Sequence, residues 1–552
     1  MPSITIDGKT FEFEGKKMIL DIALENKNEI PHYCYHPGLS VVASCRICLA
    51  EVEAPNPRND NKVELIPKLV PTCQTPAADG MIVHTKSDKS AANQKMVMEY
   101  LLINHPLDCP VCDQAGECKL QDYSYDHGRA ESRFLEEKIK QPTKDIGPHV
   151  KLYSDRCIMC SRCIRFTREV SGTSELAVFG RGAHEQVDVF PGQPLDNELS
   201  GNVVDICPVG ALLDKDFLFE QRVWLLQETP SIDGITCSGD NISIHQNEGK
   251  IYRIKPRENM EVNTWWTSDE IRHGWDFVHS DERHTTPKRK QLGDLFDSDW
   301  PKAISEAADT LKQTHGDEGD SSLAVMISPM LSCEEAYVLG QLVRGMDPAA
   351  TLAVGPVPID GQDKTFPGGY TIYAEKCPNA RGVRRALELL TGDKRKAFNK
   401  VDDYETFIQK LSDKTSPIKA VLLTGNYPSA WATKELITAL KGKKTILIDT
   451  LSNDLTTKAD VLLPSATWAE KAGTFENVNN RLQTFQQALP VLEGARPEGQ
   501  IAFDLAAAAG LMGKGLFDPA TVRQKMDGVF VTEVHEPVEQ HACEPDMQYV
   551  EL

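Results

Sequence analysis

Residues 157–163 read CIMCSRC, so Cys157, Cys160 and Cys163 stand three residues apart. Far downstream, Cys207 opens the stretch CPVGAL (207–212), in which Pro208 turns the chain away. Three closely spaced thiolates can bind three corners of a cubane iron–sulfur cluster, and a remote cysteine can bind the fourth. These ligands predict a domain that folds around a metal centre.

The spacing of this third group along the chain is that of bacterial ferredoxins. These proteins carry a C-x2-C-x2-C run and a closing Cys-Pro element. Cys157, Cys160, Cys163 and Cys207 are therefore expected to hold a [4Fe–4S] cluster. A structural zinc site is the alternative.

The other cysteines support metal chemistry over disulfide bonds. The chain has 15 cysteines, and most of them lie between Cys34 and Cys207. An odd total, close CxxC spacings and no export signal disfavour a disulfide scaffold.

The first group comprises Cys34, Cys45, Cys48 and Cys73. It follows a predicted hairpin and helix, as in plant-type ferredoxins, where a cysteine loop wraps a [2Fe–2S] cluster and a distant cysteine closes it. The first interval is longer than in the plant type. Zinc is again the alternative, but its usual layout has two CxxC pairs and here there is one.

The middle group lies in HPLDCPVCDQAGECKLQD (105–122) and has three cysteines, Cys109, Cys112 and Cys118. His105 is the nearest candidate for a fourth ligand, since imidazole binds iron in Rieske centres. The alternatives are that His105 only ends a helix and favours its dipole, or that His127 is the ligand. With His105 the group would hold a second [4Fe–4S] cluster.

Composition excludes several functions. A formal net charge of −21 disfavours nucleic-acid partners, which require clustered basic residues. No apolar run is long enough to span a membrane, and the N-terminus resembles neither a signal nor a transit peptide, so a bacterial cytoplasmic location is expected. At 552 residues, three or more domains are expected.

The chain changes character near residue 225. Before it, a hairpin turns at Asp7–Gly8, and a helix over 90–104 is expected to place Ala92, Met96, Tyr100 and Ile103 on one face. After it, strand-like runs such as AVLLTG and KTILID alternate with helix-like ones, which predicts an α/β domain with a largely parallel sheet. Residues 282–301 are expected to form a linker, and the last twenty residues a loosely ordered tail.

Taken together, the three ligand groups, CIMCSRCIRFTREVSG and GNVVDICPVGALLDKDF resemble the large peripheral iron–sulfur subunit of respiratory complex I. The resemblance covers residues 1–300. It implies a multidomain α+β and α/β protein: a β-grasp [2Fe–2S] domain (1–80), a His/Cys3 [4Fe–4S] domain (81–125), a [4Fe–4S] ferredoxin-like domain (145–220) and a molybdopterin-oxidoreductase-like domain (225–552).

The resemblance also implies a role. Electrons would arrive from a flavin-bearing, NADH-binding subunit and leave to a two-cluster ferredoxin-like subunit nearer the quinone. The chain itself would bind neither NADH nor quinone, and would lie peripherally on the cytoplasmic side of the bacterial inner membrane.

The sequence departs from the family at the start of the large domain. Some members carry another four-cysteine cluster there, but DGITCSGDNISIH (233–245) has only Cys237. We expect that cluster to be absent, and we expect Cys237, Cys333, Cys377 and Cys543 to be inert. No molybdopterin is expected either, because no convincing metal-ligand cysteine occupies its place.

Three other functions remain open. One is a self-contained, formate-dehydrogenase-like molybdopterin enzyme, and another is a hydrogenase or hydrogenase-associated diaphorase subunit. The third is a zinc scaffold without redox function.

Overall fold

The structure is a computed structural model that describes residues 1–391 and 400–537. The chain divides into two compact units. Unit 1 comprises Met1–Leu226 with Phe366–Tyr370, and unit 2 comprises Gln227–Thr365 and the chain from Thr371 onward. Most of the predicted tail, with Cys543, lies outside the described residues. None of the described helices combines the length and apolar character needed to cross a bilayer.

Unit 1 contains short strands and helices joined by long loops. Its strands are β1 (Ser3–Ile6), β2 (Lys9–Glu12), β3 (Leu49–Asn56), β4 (Lys62–Leu65), β5 (Val70–Pro71), β6 (Met81–His84), β7 (Thr143–Asp145), β8 (Val150–Tyr153), β9 (Leu176–Phe179), β10 (Gln186–Val189) and β11 (Leu212–Asp214). Its helices are α1 (Ile19–Glu25), α2 (Asp88–Leu102), α3 (Lys119–His127), α4 (Arg162–Glu169) and α5 (Asn202–Ile206).

The first sheet of unit 1 has the order β2-β1-β6-β3-β4, with β5 paired to β3. The predicted hairpin is present, because Asp7 (φ 48°) and Gly8 (φ 84°) adopt the left-handed geometry of a tight turn between β1 and β2. Apolar residues of the sheet bury Ile19, Leu20 and Ile22 of α1, as a β-grasp fold requires. The first cysteine loop runs from the end of α1 to β3.

Helix α2 buries a different face from the one expected. Met96 and Tyr100 are exposed, whereas Gln94, Val97 and Met98 are buried. The buried face is partly polar because its polar groups have partners: the Gln94 amide donates to the backbone oxygen of Thr85. Apolar spacing alone therefore identified the wrong face.

Two small sheets complete unit 1, with the orders β11-β8-β7 and β10-β9. Helix α4 begins within the CIMCSRC run, and α5 ends one residue before Cys207. The remote cysteine is thus brought to the other three by a short helix.

Unit 2 contains the α/β fold. Its strands are β12 (Gln227–Ile232), β13 (Asn241–Asn247), β14 (Lys250–Pro256), β15 (Lys288–Gln291), β16 (Asp294–Asp297), β17 (Leu323–Ile327), β18 (Thr351–Val354), β19 (Lys364–Thr365), β20 (Thr371–Ile372), β21 (Val401–Asp402), β22 (Ala420–Thr424), β23 (Lys444–Asp449), β24 (Val461–Pro464), β25 (Gly473–Glu476), β26 (Leu482–Phe485) and β27 (Val534–His535). Its helices are α6 (Asp269–His273), α7 (Trp300–Glu318), α8 (Cys333–Met346), α9 (Ala380–Glu388), α10 (Tyr404–Ser412), α11 (Lys434–Ala439), α12 (Glu498–Ala509), α13 (Pro519–Met526) and α14 (Val529–Thr532).

The central sheet of unit 2 has eight strands in the order β16-β15-β24-β23-β22-β17-β18-β21. The six strands from β24 to β21 are parallel, as the alternation of strand-like and helix-like runs predicted. One apolar core includes residues of α7, α8, α9 and α12, and a second includes residues of α10 and α11.

The segment 282–301 is not a plain linker. It contains the hairpin β15–β16, whose turn residues Leu292 (φ 52°) and Gly293 (φ 102°) have positive φ, and β15 extends the sheet by pairing antiparallel with β24. Its polar composition suits an edge position, which also explains why the run did not resemble a buried strand.

Candidate metal centres

The first set of thiols comes together in two pairs. The Sγ atoms of Cys34 and Cys45 lie 3.5 Å apart, and those of Cys48 and Cys73 lie 3.6 Å apart. Cys73 interacts with both Cys34 and Cys48, so the pairs adjoin. Because Cys73 donates a hydrogen bond to it, the pKa of Cys48 falls to about 7, whereas hydrogen bonding and burial raise the pKa of Cys73.

The loop around Cys45 has an unusual backbone. Ala43 (φ 49°) and Arg46 (φ 61°) both adopt the left-handed region that favours glycine. A chain that alternates between right- and left-handed conformations points successive N–H groups into one concavity, which suits an anionic group. The same feature recurs in the third set, at Met159 (φ 54°) and Ser161 (φ 59°).

The third set encloses a cavity. It is lined by Cys157, Cys160, Cys163 and Cys207, with apolar walls that include Leu152, Val187 and Leu212. Burial raises the pKa of Cys157 to about 12 and that of Cys207 to about 11. These thiols therefore stay protonated at neutral pH unless a metal displaces the protons. Four inward-facing thiols around one cavity fit a cubane cluster.

One hydrogen bond to sulfur already exists in the third set. The backbone N–H of Met159 donates to Sγ of Cys157 at 3.3 Å. Bonds of this kind stabilise the more negative, reduced state of a cluster and so raise its reduction potential.

The middle set also surrounds a cavity, which is lined by His105, Cys109, Cys112 and Cys118 together with Arg156 and Gly210. Nδ1 of His105 is buried and has no hydrogen-bond partner among the described residues. Burial lowers the pKa of His105 to about 4, so the imidazole is neutral at pH 7 and can bind a metal. His127, the alternative, packs against Tyr123 and is not among the residues that line this cavity.

Gly210 is tied to the middle set by space. A Cβ atom at this position would lie 2.3 Å from Sγ of Cys112, which is closer than any side chain tolerates. Gly210 follows Cys207 by three residues, so the middle and third sets are in direct contact. Arg156 strengthens this contact, because it precedes Cys157 and its guanidinium forms an ion pair of 3.1 Å with Asp108.

The first set contacts both of the others. The guanidinium of Arg165 donates to the backbone oxygens of Cys34 and Cys160. The ring of Tyr33, beside Cys34, meets that of Tyr123 on α3 with 5.3 Å between centroids. Sequence reasoning missed these connecting residues, although the basic run CIRFTRE (163–169) carried a signal for one of them.

In unit 2 the carboxyl ends of the parallel strands carry a buried polar network. This edge is where α/β sheets usually bind ligands. Lys471 pairs with Glu335 (3.0 Å) and Glu498 (2.6 Å), and the Asn426 amide donates to Glu498 at 2.7 Å. The polar groups of this edge therefore bond to one another.

The isolated cysteines of unit 2 lie apart from the three sets. Cys237, Cys333 and Cys377 are all buried. Burial raises the pKa of Cys237 to about 12, and Sγ of Cys333 lies 3.5 Å from the Asn379 side chain. Among the described cysteines none is in a disulfide bond.

Comparison with known families agrees with this arrangement along the chain. Family models match as a 2Fe–2S iron–sulfur cluster binding domain (2–88), an NADH-ubiquinone oxidoreductase-G iron–sulfur binding region (94–133) and the ferredoxin-like domain of NADH-quinone oxidoreductase subunit 3 (147–213). The iron–sulfur region belongs to the NADH-quinone oxidoreductase-G family. Further matches are an NDSU1/NuoG-like 4Fe–4S domain (226–276) and a molybdopterin oxidoreductase domain (378–508). The predicted fold class is confirmed.

Relatives in this family include the G-type subunits of NADH-quinone oxidoreductase from two rickettsiae. The protein of Rickettsia felis is 37% identical over 344 residues, which are 62% of this chain and 49% of the relative. That of Rickettsia bellii is 38% identical over 312 residues, or 56% of this chain and 44% of the relative. The alignments thus span about half the length of these relatives or less.

One solved structure is also similar. A chain of the NAD+-reducing [NiFe]-hydrogenase in its H2-reduced state is 28% identical and matches with a TM-score of 0.35. The match covers 40% of this chain and 91% of the hydrogenase chain.

Proposed function

We propose that the chain is an electron-relay subunit of an NADH:quinone oxidoreductase. Cys34, Cys45, Cys48 and Cys73 would hold one [2Fe–2S] cluster. His105, Cys109, Cys112 and Cys118 would hold a [4Fe–4S] cluster, and Cys157, Cys160, Cys163 and Cys207 a second one. Iron–sulfur clusters supply one-electron transfer, so the chain would receive electrons from a flavin-bearing, NADH-binding subunit and pass them toward quinone.

The observation that carries the proposal is the mutual contact of three four-ligand sets within one unit. Each set borders the next through a few side chains, such as Arg165 between the first and third sets. Electron transfer requires short distances, and this packing supplies them. The apolar walls of the third cavity would exclude water, which keeps the thiolates bound to iron rather than hydrated.

The exit from the relay is proposed at the middle set. Cys109 is exposed, unlike the buried thiols of the third set, and its neighbours Leu107 and Val111 are exposed apolar residues. An exposed apolar patch around a redox ligand suits contact with another electron carrier. We propose that a two-cluster ferredoxin-like subunit binds here, and that the chain lies peripherally on the cytoplasmic side of the bacterial inner membrane.

Metal analysis of single-ligand variants tests the proposal. Wild-type protein purified without oxygen should contain about ten irons per chain, two plus four plus four, with no stoichiometric molybdenum or zinc. Cys73→Ala should lose about two of them and Cys163→Ala about four. Cys237→Ala is the matched control and should lose none. Molybdenum near one per chain would instead support the self-contained molybdopterin enzyme, and zinc with little iron the zinc scaffold.

A further inference from the structure

Helix α4 carries two buried arginines that reach the first cysteine loop. Arg162 and Arg165 are each 5% exposed and lie nearly one helical turn apart, so their side chains leave the same side of the helix. Glu169 extends this contact, because its carboxylate accepts from the backbone N–H of Ser40 at 2.8 Å. A single helix that begins in the third set thus holds the loop of the first set.

Arg165 connects ligand residues of both sets through one guanidinium. Its Nη2 donates to the backbone oxygen of Cys34 and, at 3.4 Å, to that of Cys160. Its Nη1 donates to the backbone oxygen of Ser40. A lysine could not make these contacts together, because it lacks the planar fork of donors.

Arg162 makes a similar bridge and also faces the third cavity. Its Nη2 donates to the oxygen of Tyr35, and its Nη1 donates at 3.2 Å to the oxygen of Ile206, the residue before Cys207. The side chain is one of those lining the cavity enclosed by the four cysteines. Its Nε is buried and has no hydrogen-bond partner in the described part of the chain. A donor in this position is available to a sulfur atom.

The charge of the two arginines points the same way. Within the described ranges neither guanidinium pairs with a carboxylate; their partners are backbone oxygens and, for Arg165, the Ser161 hydroxyl. A buried cation without a counter-charge is strongly unfavourable. Iron–sulfur clusters bound by four thiolates are anionic, so they would neutralise these cations from both sides.

We propose that Arg162 and Arg165 form a cationic bridge that fixes the first and third centres relative to each other and raises their reduction potentials. This proposal rests on the proposed function, because it requires both clusters. Reduction adds a negative charge to a cluster, and a fixed nearby cation stabilises that charge. Arg162 acts mainly on the third centre, where Nε donates to sulfur, whereas Arg165 acts on both centres.

The experiment is a redox titration of the full chain, purified without oxygen and followed by EPR. Arg162→Gln should lower the reduction equilibrium constant of the third centre about tenfold, which is about 59 mV for one electron, and change the first centre less. Arg165→Gln should lower both constants. Arg168→Gln is the matched control, since Arg168 is exposed on the same helix, and it should leave both potentials unchanged.

Charge-preserving variants distinguish a structural role from an electrostatic one. Arg162→Lys keeps the cation and should restore part of the lost potential, which a purely structural role would not do. Two results would overturn the proposal. One is that Arg162→Gln and Arg165→Gln retain all their iron with the potentials of Arg168→Gln; the other is that the Lys and Gln variants lose the third centre equally.

Failure of the proposed function would look different. Wild-type protein that contains no iron would refute the relay itself. Wild-type protein with about ten irons, beside arginine variants of unchanged potential, would overturn only the cationic bridge.

Discussion

The two units bury their cations against different partners. In unit 2, Arg283 forms two hydrogen bonds with Glu470, at 2.8 and 2.7 Å, and Lys471 lies between Glu335 and Glu498. In unit 1, Arg162 and Arg165 donate to backbone oxygens beside cysteines. Because a buried charge needs an opposite charge close by, unit 2 is complete with its own side chains, whereas unit 1 is built for an anionic group.

The largest expected effect is the loss of a cation from unit 2. Lys471→Met leaves two buried carboxylates, Glu335 and Glu498, facing each other without a counter-charge. We expect the free energy of unfolding to fall by about 3–5 kcal/mol, measured by denaturant unfolding of the full chain. The control is Lys434→Met, at an exposed position, where we expect almost no change. Equal unfolding midpoints for the two variants would show that unit 2 does not depend on this pair.

The next effect concerns the contact between the middle and third sets. Gly210→Ala would place a methyl group against Sγ of Cys112, so the protein should lose the middle centre, about four irons per chain, by metal analysis. Gly316→Ala is the control, since its Cβ would meet open space. Full iron content in Gly210→Ala would mean that the middle set does not depend on this close approach.

A smaller effect is expected at the histidine of the middle set. His105→Ala should alter one [4Fe–4S] EPR signal and leave the other two centres unchanged, because only one ligand of one cluster is lost. His127→Ala is the matched control and should leave all signals intact. The reverse pattern would assign the fourth ligand to His127.

Partner binding should change without any change in iron. Leu107→Glu puts a charge into the exposed apolar patch beside Cys109, so it should weaken binding of the two-cluster subunit at least several-fold, as measured by titration calorimetry. Leu292→Glu, at an exposed turn of unit 2, provides the comparison. Equal affinities would exclude this face as the contact.

The smallest effect sharpens the comparison within unit 2. Burial and the nearby Asp240 carboxylate raise the pKa of Asp233 to about 7, above the ordinary value of 3.8. The folded state therefore binds a proton that the unfolded chain releases, and this contribution to stability is lost as pH rises from about 4 through about 7. Asp233→Asn should flatten the fall of Tm between pH 5 and pH 8, and an unchanged slope would contradict this assignment.

The sequence predicted best what short-range chemistry determines. The Asp7–Gly8 turn, the parallel strands and the grouping of Cys157, Cys160 and Cys163 follow from local spacing. The buried face of α2 did not, because Gln94 is buried through a partner that is distant from Ala92 and Met96. The β15–β16 hairpin was missed because an edge strand needs no apolar run.

The contacts between the sets lay further beyond the sequence. Arg162 and Arg165 have the composition of an ordinary basic helix, and their role depends on backbone oxygens more than a hundred residues away, at Cys34 and Tyr35. Gly210 has no special spacing either. Only the folded chain brings its backbone against Cys112.

The central claim is that unit 1 holds one two-iron and two four-iron clusters. Mössbauer spectroscopy of the full chain, enriched in 57Fe and purified without oxygen, measures this directly. The account predicts that about one fifth of the iron gives the spectrum of a [2Fe–2S] cluster and about four fifths that of [4Fe–4S] clusters, at about ten irons per chain. Iron of a single cluster type, or a content near six, would contradict it.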